Sequence, residues 1–446
     1  MKKLFIVIIL VSIVSVSCKK EVPPADTYTV TEQARDELYN LMKDTYLWYN
    51  RMPKTVTLKD YKDPYELLEA VRFDSLDRWS FVADYNKFIA SEQGIFVGHG
   101  IRIGLDALGK ARIVSIYKNS PLYSTISNPN GVRRGWIIKT LNGQDLAPVL
   151  AAMYATRDAT AYNNLIGPSV ATRSNTFVFQ TPRGNDTTAL TTKASFQVNS
   201  VTLYDTLTIN GKKTGHLVFD EFIEPSSNEL KTAFAFFKAQ DVKDLILDMR
   251  YNGGGILGVA IELGSYIAGT SKFGTPIVRS SYNDKLAPTK NTTINFTNVL
   301  YPLNLTRLVV ITTRSTASAS EVIINGLKPH MAVTTIGDTT NGKPTGMEVW
   351  QFAEKFIFAP ISFKLVNSAG EGDFYAGFAP AKYVNDDITH DFRDKNELCF
   401  KEAIYFLQNG SISSKGSYIY SPSIQYSEKP SLMNNMYRFD KSSVLR

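Results

Sequence analysis

Hydrophobic positions change their spacing twice along this chain, dividing it into three stretches. Between residues 31 and 52, Ala34, Leu38, Leu41, Met42, Tyr46 and Leu47 recur at the interval of one helix face. Thr31 precedes them as the expected cap, and a second short helix is predicted over Tyr65 to Val71. Together they make a small N-terminal helical unit over 29–88. From about residue 94 the texture becomes short β-like runs punctuated by glycine and proline: 95–97, 101–103, 111–116 and 136–141. Asn142-Gly143 is a hairpin-type turn signal. A helix over Ala147 to Thr156 and a strand over Thr176 to Gln180 complete a β-rich unit assigned to 89–195.

Beyond residue 196 strands and helices alternate. Gly215 to Asp220, Leu245 to Met249, Leu308 to Thr312 and Val333 to Gly337 read as strands. The segments Ser227 to Ala239, the run ending near Ala268 and the run ending at Leu327 read as helices between them. That order predicts an α/β core over 196–410 with a mostly parallel sheet. Residues 411–446 are polar and rich in serine and tyrosine, and read as an irregular C-terminal tail.

Composition changes this picture little. The chain has 446 residues, 43% hydrophobic and 20% charged, as a folded multidomain protein does. Part of the +7 formal charge sits in Lys2, Lys3, Lys19 and Lys20, and no basic block follows, so a nucleic-acid partner is not expected. Lys2 and Lys3 precede an apolar run from Leu4 to Val16, too short for a permanent span, so a cleaved signal over 1–18 is expected. Ser15-Val16-Ser17-Cys18 resembles a bacterial lipobox, with Cys18 as the residue that would carry lipid and 19–28 as a tether. An ordinary secretory signal is the alternative reading. Cys399 would then have no disulfide partner, and its place in a helical pattern marks it as a buried small apolar residue.

The chemistry concentrates in three segments. Ser318, in Thr316-Ala317-Ser318-Ala319-Ser320-Glu321, lies between a buried strand and an amphipathic helix. The spacing Ser318-x-x-Glu321 is a capping box, which is a sufficient structural reason for it. The same strand-to-helix turn also exposes a hydroxyl at the carboxyl edge of a sheet, beside a helix N-terminus that favours negative charge. Lys343 follows 25 positions later in a polar glycine-containing loop. As a general base it would have to be neutral, which demands desolvation. The run Gly253-Gly254-Gly255-Ile256-Leu257-Gly258 fits a dinucleotide fingerprint formally. The acidic residue expected about 20 positions on is missing from Lys272 to Ser281, so close backbone approach to an oxyanion is the better use of these glycines. Four scattered histidines form no metal-ligand pattern, and no metal or other cofactor is expected.

Two resemblances join these readings. Val97-Gly98-His99-Gly100-Ile101, Asn119-Ser120-Pro121-Leu122 and Arg134 to Gln144 resemble a PDZ domain, with Trp136 departing from the usual aspartate. The resemblance implies that Gly98, His99, Gly100 and Ile101 present backbone N–H groups to a peptide, a role suited to an anion nest beside a strand edge. Asp248-x-Arg250-x-Asn252-x-Gly254-Gly255, the Ser318 segment and Gly342-Lys343 resemble the carboxy-terminal processing (tail-specific) serine proteases, as does Asp386-Asp387 after Gly377-Phe378-Ala379-Pro380. This second resemblance covers about residues 94 to 410. It implies Ser318 as nucleophile, Lys343 as its base, the N–H groups of Gly254 and Ala319 as oxyanion hole, and Arg250 and Asn252 as loop supports.

The implied activity is a serine endopeptidase acting on unfolded or C-terminally recognised proteins in the cell envelope, lipid-anchored and facing the periplasm or the cell surface. Met347 stands where the family often has a lysine-orienting glutamine, and Pro344 where it has glycine. The rival expectation is therefore a catalytically inactive peptide- or ligand-binding lipoprotein of the same fold. A small-molecule esterase is a third reading, one to which a PDZ-like unit would add little.

Overall fold

The computed structural model describes residues 28–123, 131–414, 425–427, 437–438 and 443–444. The predicted signal, most of the tether and Cys18 lie outside them. Among the described residues, no helix is long and apolar enough to cross a membrane.

The core sheet has six strands in the order Val201–Ile209, Lys212–Phe219, Asp244–Asp248, Arg307–Thr312, Ala332–Gly337 and Lys382–Tyr383. The first pair is antiparallel and every later pair is parallel. The central strands read as continuous apolar runs because both faces are covered. Leu245, Leu247, Leu308 and Val310 pack with Phe234, Leu263 and Ile323 from the helices Ser226–Ala239, Leu257–Ala268 and Ala319–Leu327. Ile246, Val309 and Ile311 face the other way, against Phe400, Ala403 and Leu407 of the helix Leu398–Asn409. Cys399 is completely buried in that second layer.

Residues 95–197 form two sheets. The larger places Ile101–Leu105, Ala111–Ile116, Ile137–Leu141, Ser174–Gln180 and Asp186–Thr192 side by side. The helix Leu146–Thr156 lays Leu146, Val149, Leu150 and Met153 on its apolar face. The smaller pairs Ile95–Gly98 with Ala194–Gln197. At the N-terminus the helices Val30–Thr45 and Pro64–Val71 pack together. Thr29, rather than Thr31, caps the first: Glu32 N donates to Thr29 Oγ1 at 3.2 Å, and Thr29 N donates to Glu32 Oε2 at 2.8 Å. Thr31 lies inside the helix because the box needs its acid three residues on, which places the cap at Thr29.

A further sheet has no counterpart in the sequence reading. It runs Gly255–Ile256, Tyr437–Arg438, Thr345–Met347, Ile361–Asn367, Pro276–Tyr282 and Thr292–Asn295. The segment expected to be an irregular tail thus contributes strands, at Gln425–Ser427, Tyr437–Arg438 and Ser443–Val444.

Two buried histidines tie this fold to pH. His99 is packed edge-on against Phe177, 5.1 Å between ring centres, and burial pushes its pKa down to about 4. His216, on the central sheet, stacks 4.2 Å from Phe400, and burial, with Arg250 adding to it, pushes its pKa down to about 3. Both are neutral when folded and protonate near pH 6.5 when unfolded. Stability is therefore full above pH 6.5 and falls as pH drops toward 4 and 3, by about 1.4 kcal/mol per pH unit for each histidine. Thermal melts between pH 7 and 4 should show this decline. His99→Gln and His216→Leu should each make this decline shallower.

Candidate active site

The three chemical segments leave neighbouring parallel strands at the same edge. The glycine loop follows Asp244–Asp248, the Ser318 turn follows Arg307–Thr312, and the Lys343 loop follows Ala332–Gly337. Carboxyl edges of parallel strands are where such folds converge their loops.

Ser318 occupies the turn before the helix Ala319–Leu327 with φ +61° and ψ −121°. That region is strained for a residue with a Cβ and costs about 1–3 kcal/mol where the surroundings enforce it. The enforcement is visible. Ala317 N donates to Asn252 O at 3.0 Å, Ser320 Oγ to the same carbonyl at 3.1 Å, and Thr316 Oγ1 to Met249 O at 2.8 Å. Ser318 N donates to Glu321 Oε2 at 2.9 Å, while Glu321 N donates to the Ser318 carbonyl at 2.7 Å. The Ser318 hydroxyl, fully buried, is left with no hydrogen-bond partner among the described residues.

Glu321 does more than cap. Its Oε2 also accepts from Lys343 N at 2.8 Å, and its Oε1 accepts from Gly342 N at 2.7 Å and Thr340 Oγ1 at 2.6 Å. Burial pushes this carboxyl up, against hydrogen bonds from Thr340, Lys343, Ser318 and Gly342 that favour its ionised form. One completely buried carboxylate thus ties the serine turn to the lysine loop. The sequence reading confined Glu321 to the helix cap. Its longer reach could not be read from a local spacing.

Lys343 is completely buried, its Nζ 6.0 Å from the centre of the Trp79 ring. Trp79 comes from the N-terminal unit and stacks on Tyr375, 6.4 Å between centres. Arg78 beside it donates to Asn341 O at 2.9 Å. Gly342, at φ +89°, lies so close to the backbone at Tyr375 and Gly377 that a Cβ would not fit. Met347 is also fully buried, and Glu348 turns away to Lys290 Nζ at 2.6 Å and Tyr282 Oη at 3.0 Å. Neither takes the place of an orienting glutamine. The Lys343 backbone is held by Glu321 instead.

The oxyanion donors divide. Ala319 N is bonded to nothing among the described residues. Gly254 N, expected to face an oxyanion, donates instead to Asn252 Oδ1 at 2.9 Å, because the Asn252 side chain folds back over its own loop and anchors on Phe219 O at 3.0 Å. Gly254 still approaches the serine as closely as backbone can. At φ +101° a Cβ there would lie 2.6 Å from Ser318 Cβ.

Arg250 is buried among carboxylates. It donates to Asp248 Oδ2 at 2.7 Å, Asp386 Oδ1 at 2.9 Å and Glu397 Oε1 at 2.8 Å. Although burial opposes it, Arg250 holds the Glu397 carboxyl down at about 2. Asp386, from the closing motif, also accepts from Tyr251 Oη at 2.9 Å, and Arg134 of the 95–197 unit donates to Tyr251 Oη at the same distance. The loop is thereby locked to both neighbours.

The peptide-loop residues lie far from this cluster in the chain and end up in a different sheet. Gly98 ends one strand, Gly100 turns at φ +76° and Ile101 begins the next. The His99 ring points inward, its Nε2 2.8 Å from Asn175 Oδ1, so only its backbone is offered at the loop.

Adjacent strand ends of an α/β core thus carry a strained buried serine, a buried lysine and a glycine loop. Residues 213–381 match the model described as Peptidase family S41, and residues 33–81 match the Peptidase S41 N-terminal domain. These segments are similar to S41 peptidase domains, in keeping with the resemblance to the carboxy-terminal processing serine proteases. Carboxy-terminal processing protease CtpB of Bacillus subtilis (strain 168) is 23% identical over 259 residues, 58% of this chain and 49% of that protein. A carboxyl-terminal-processing protease of Picosynechococcus sp. is 26% identical over 134 residues, 30% of each chain. The chain spans about half the length, or less, of these curated relatives. A crystal structure from Bacteroides fragilis NCTC 9343, titled as an S41 protease, superposes with TM-score 0.64 at 22% identity, over 84% of this chain and 97% of that one. The fold is shared with that protein: mixed sheets with helices.

Proposed function

We propose that this chain is a serine endopeptidase using Ser318 as nucleophile and Lys343 as general base. The observation that carries the reading is the Glu321 carboxylate, which holds the backbones of both residues while leaving the Ser318 hydroxyl unbonded among the described residues. The neutral Lys343 amine takes the Oγ proton as Oγ attacks a peptide carbonyl carbon. Ala319 N meets the developing oxyanion, and Gly254 N joins it if Asn252 yields. One such donor is typically worth about 2.7–4 kcal/mol. The lysine then returns its proton to the departing amine. Water, deprotonated by the same amine, releases the acyl group. Burial of the amine supports this role, since the neutral form tolerates a dry site.

The substrates are unfolded or C-terminally recognised proteins. The 95–197 unit is read as PDZ-like, taking an extended peptide along Ile101–Leu105 beside the Gly98–Ile101 backbone. The enzyme would work in the cell envelope, held by lipid on Cys18. The Asn252 side chain on Gly254 N favours a second reading, a peptide binder of the same fold without turnover. Intact-mass analysis after mixing with an unstructured protein separates the two. An acyl adduct on Ser318 is expected, and its absence together with intact substrate would leave the binder.

A further inference from the structure

Three described strands after residue 414 lie along the surfaces a substrate would need. Gln425–Ser427 adds an antiparallel strand to the free edge of Ile101–Leu105, with Gln425 opposite Gly104, Tyr426 opposite Ile103 and Ser427 opposite Arg102. Its direction leads toward the Gly98–Ile101 loop. Tyr437–Arg438 then fills the gap between two strands of the catalytic region. Tyr437 pairs with Gly255, and Arg438 pairs with both Ile256 and Met347.

Gly255 adjoins Gly254, which abuts Ser318, and Met347 lies on the strand that follows Lys343. The main chain at 437–438 therefore bridges the serine side and the lysine side. Ser443–Val444 continues along Trp350–Gln351 in the same parallel sense. Gly255–Ile256 lies between Tyr437–Arg438 on one side and Phe222 on the other, where Ile256 N donates to Phe222 O at 2.7 Å and Phe222 N to Gly254 O at 3.1 Å. Tyr437–Arg438 thus lies between one edge of Gly255–Ile256 and one edge of Thr345–Met347, a slot that an extended polypeptide fits through main-chain hydrogen bonds that ask little of sequence.

We propose that the strands Gln425–Ser427, Tyr437–Arg438 and Ser443–Val444 are tethered occupants of the peptide track, and that a protein substrate enters only when they leave. The proposal rests on the peptidase reading for what enters, and on strand pairing alone for what leaves. Because the occupant is covalently attached, its effective concentration is set by the tether and not by dilution.

The test is made in the full-length chain. Tyr426→Pro together with Arg438→Pro removes a backbone N–H from each docked strand. Hydrogen exchange at 101–105 and 345–347 should accelerate, and KM for a dye-labelled unstructured protein should fall about tenfold, as expected when an intramolecular competitor is released. A synthetic peptide of residues 421–446 should restore the higher KM. Unchanged exchange at both segments would overturn the proposal. So would faster exchange with unchanged or weaker substrate affinity, since the segment would then be a structural strand or part of the binding site. Absence of hydrolysis in parent and variant alike would sink the peptidase reading only. Fluorescence anisotropy with the same labelled protein would still decide whether the segment competes.

Discussion

Ser318→Ala should lower turnover of an unstructured protein substrate by roughly 10⁴–10⁶-fold, the scale at which nucleophile removal acts in serine enzymes. Lys343→Ala should fall as far, and the double variant should lose no more than either alone, because nucleophile and base act as one unit. Lys343→Arg should be equally inactive, since a guanidinium stays charged and cannot take the hydroxyl proton. Ser318→Ala should leave the fold intact, as the hydroxyl makes no bond among the described residues. Steady-state kinetics with circular dichroism on each variant checks this. Parental cleavage rates in folded Ser318→Ala and Lys343→Ala proteins would remove both residues from the mechanism.

Glu321→Gln should be nearly as damaging, through geometry. Each carboxylate oxygen now accepts two hydrogen bonds: Ser318 N and Lys343 N on one, Gly342 N and Thr340 Oγ1 on the other. Glutamine keeps the volume but turns one oxygen into an NH₂ group facing two donors. Each buried donor left unpaired costs about 1–3 kcal/mol, so roughly 2–6 kcal/mol of stability should go. Urea denaturation measures that loss. The rate constant kcat should fall with it, because the serine turn and the lysine loop would no longer share an anchor. A variant with parental stability would show that Glu321 is not the tie between them.

Much of this was legible in the sequence where local periodicity reports burial directly. Leu245 to Leu247 and Leu308 to Ile311 read as strands because helices cover both of their faces, so no polar position interrupts them. Ser318 and Lys343 were singled out by motif, and the strand order explains why their loops lie side by side at Glu321: each follows a neighbouring parallel strand. What stayed hidden depends on partners remote in the chain. Thr345–Met347 has only three residues, too few to show a period, and becomes a strand through Ile361–Asn367. The pairing of Gln425–Ser427 and Tyr437–Arg438 has no local signature in a polar, serine- and tyrosine-rich segment. Asn252 was read as a loop support, but that its amide would take the Gly254 N–H follows from a side-chain rotation no spacing encodes. Trp79 lies in a region read simply as the end of a helical unit.

That tryptophan gives the helical unit a second task. Its ring and the Arg78 contact to Asn341 bring residues 78–79 over a lysine more than 260 positions away. Part of the cover over the Lys343 amine is thus borrowed from a different part of the chain. Loosening the amino-terminal module would therefore open that amine to solvent.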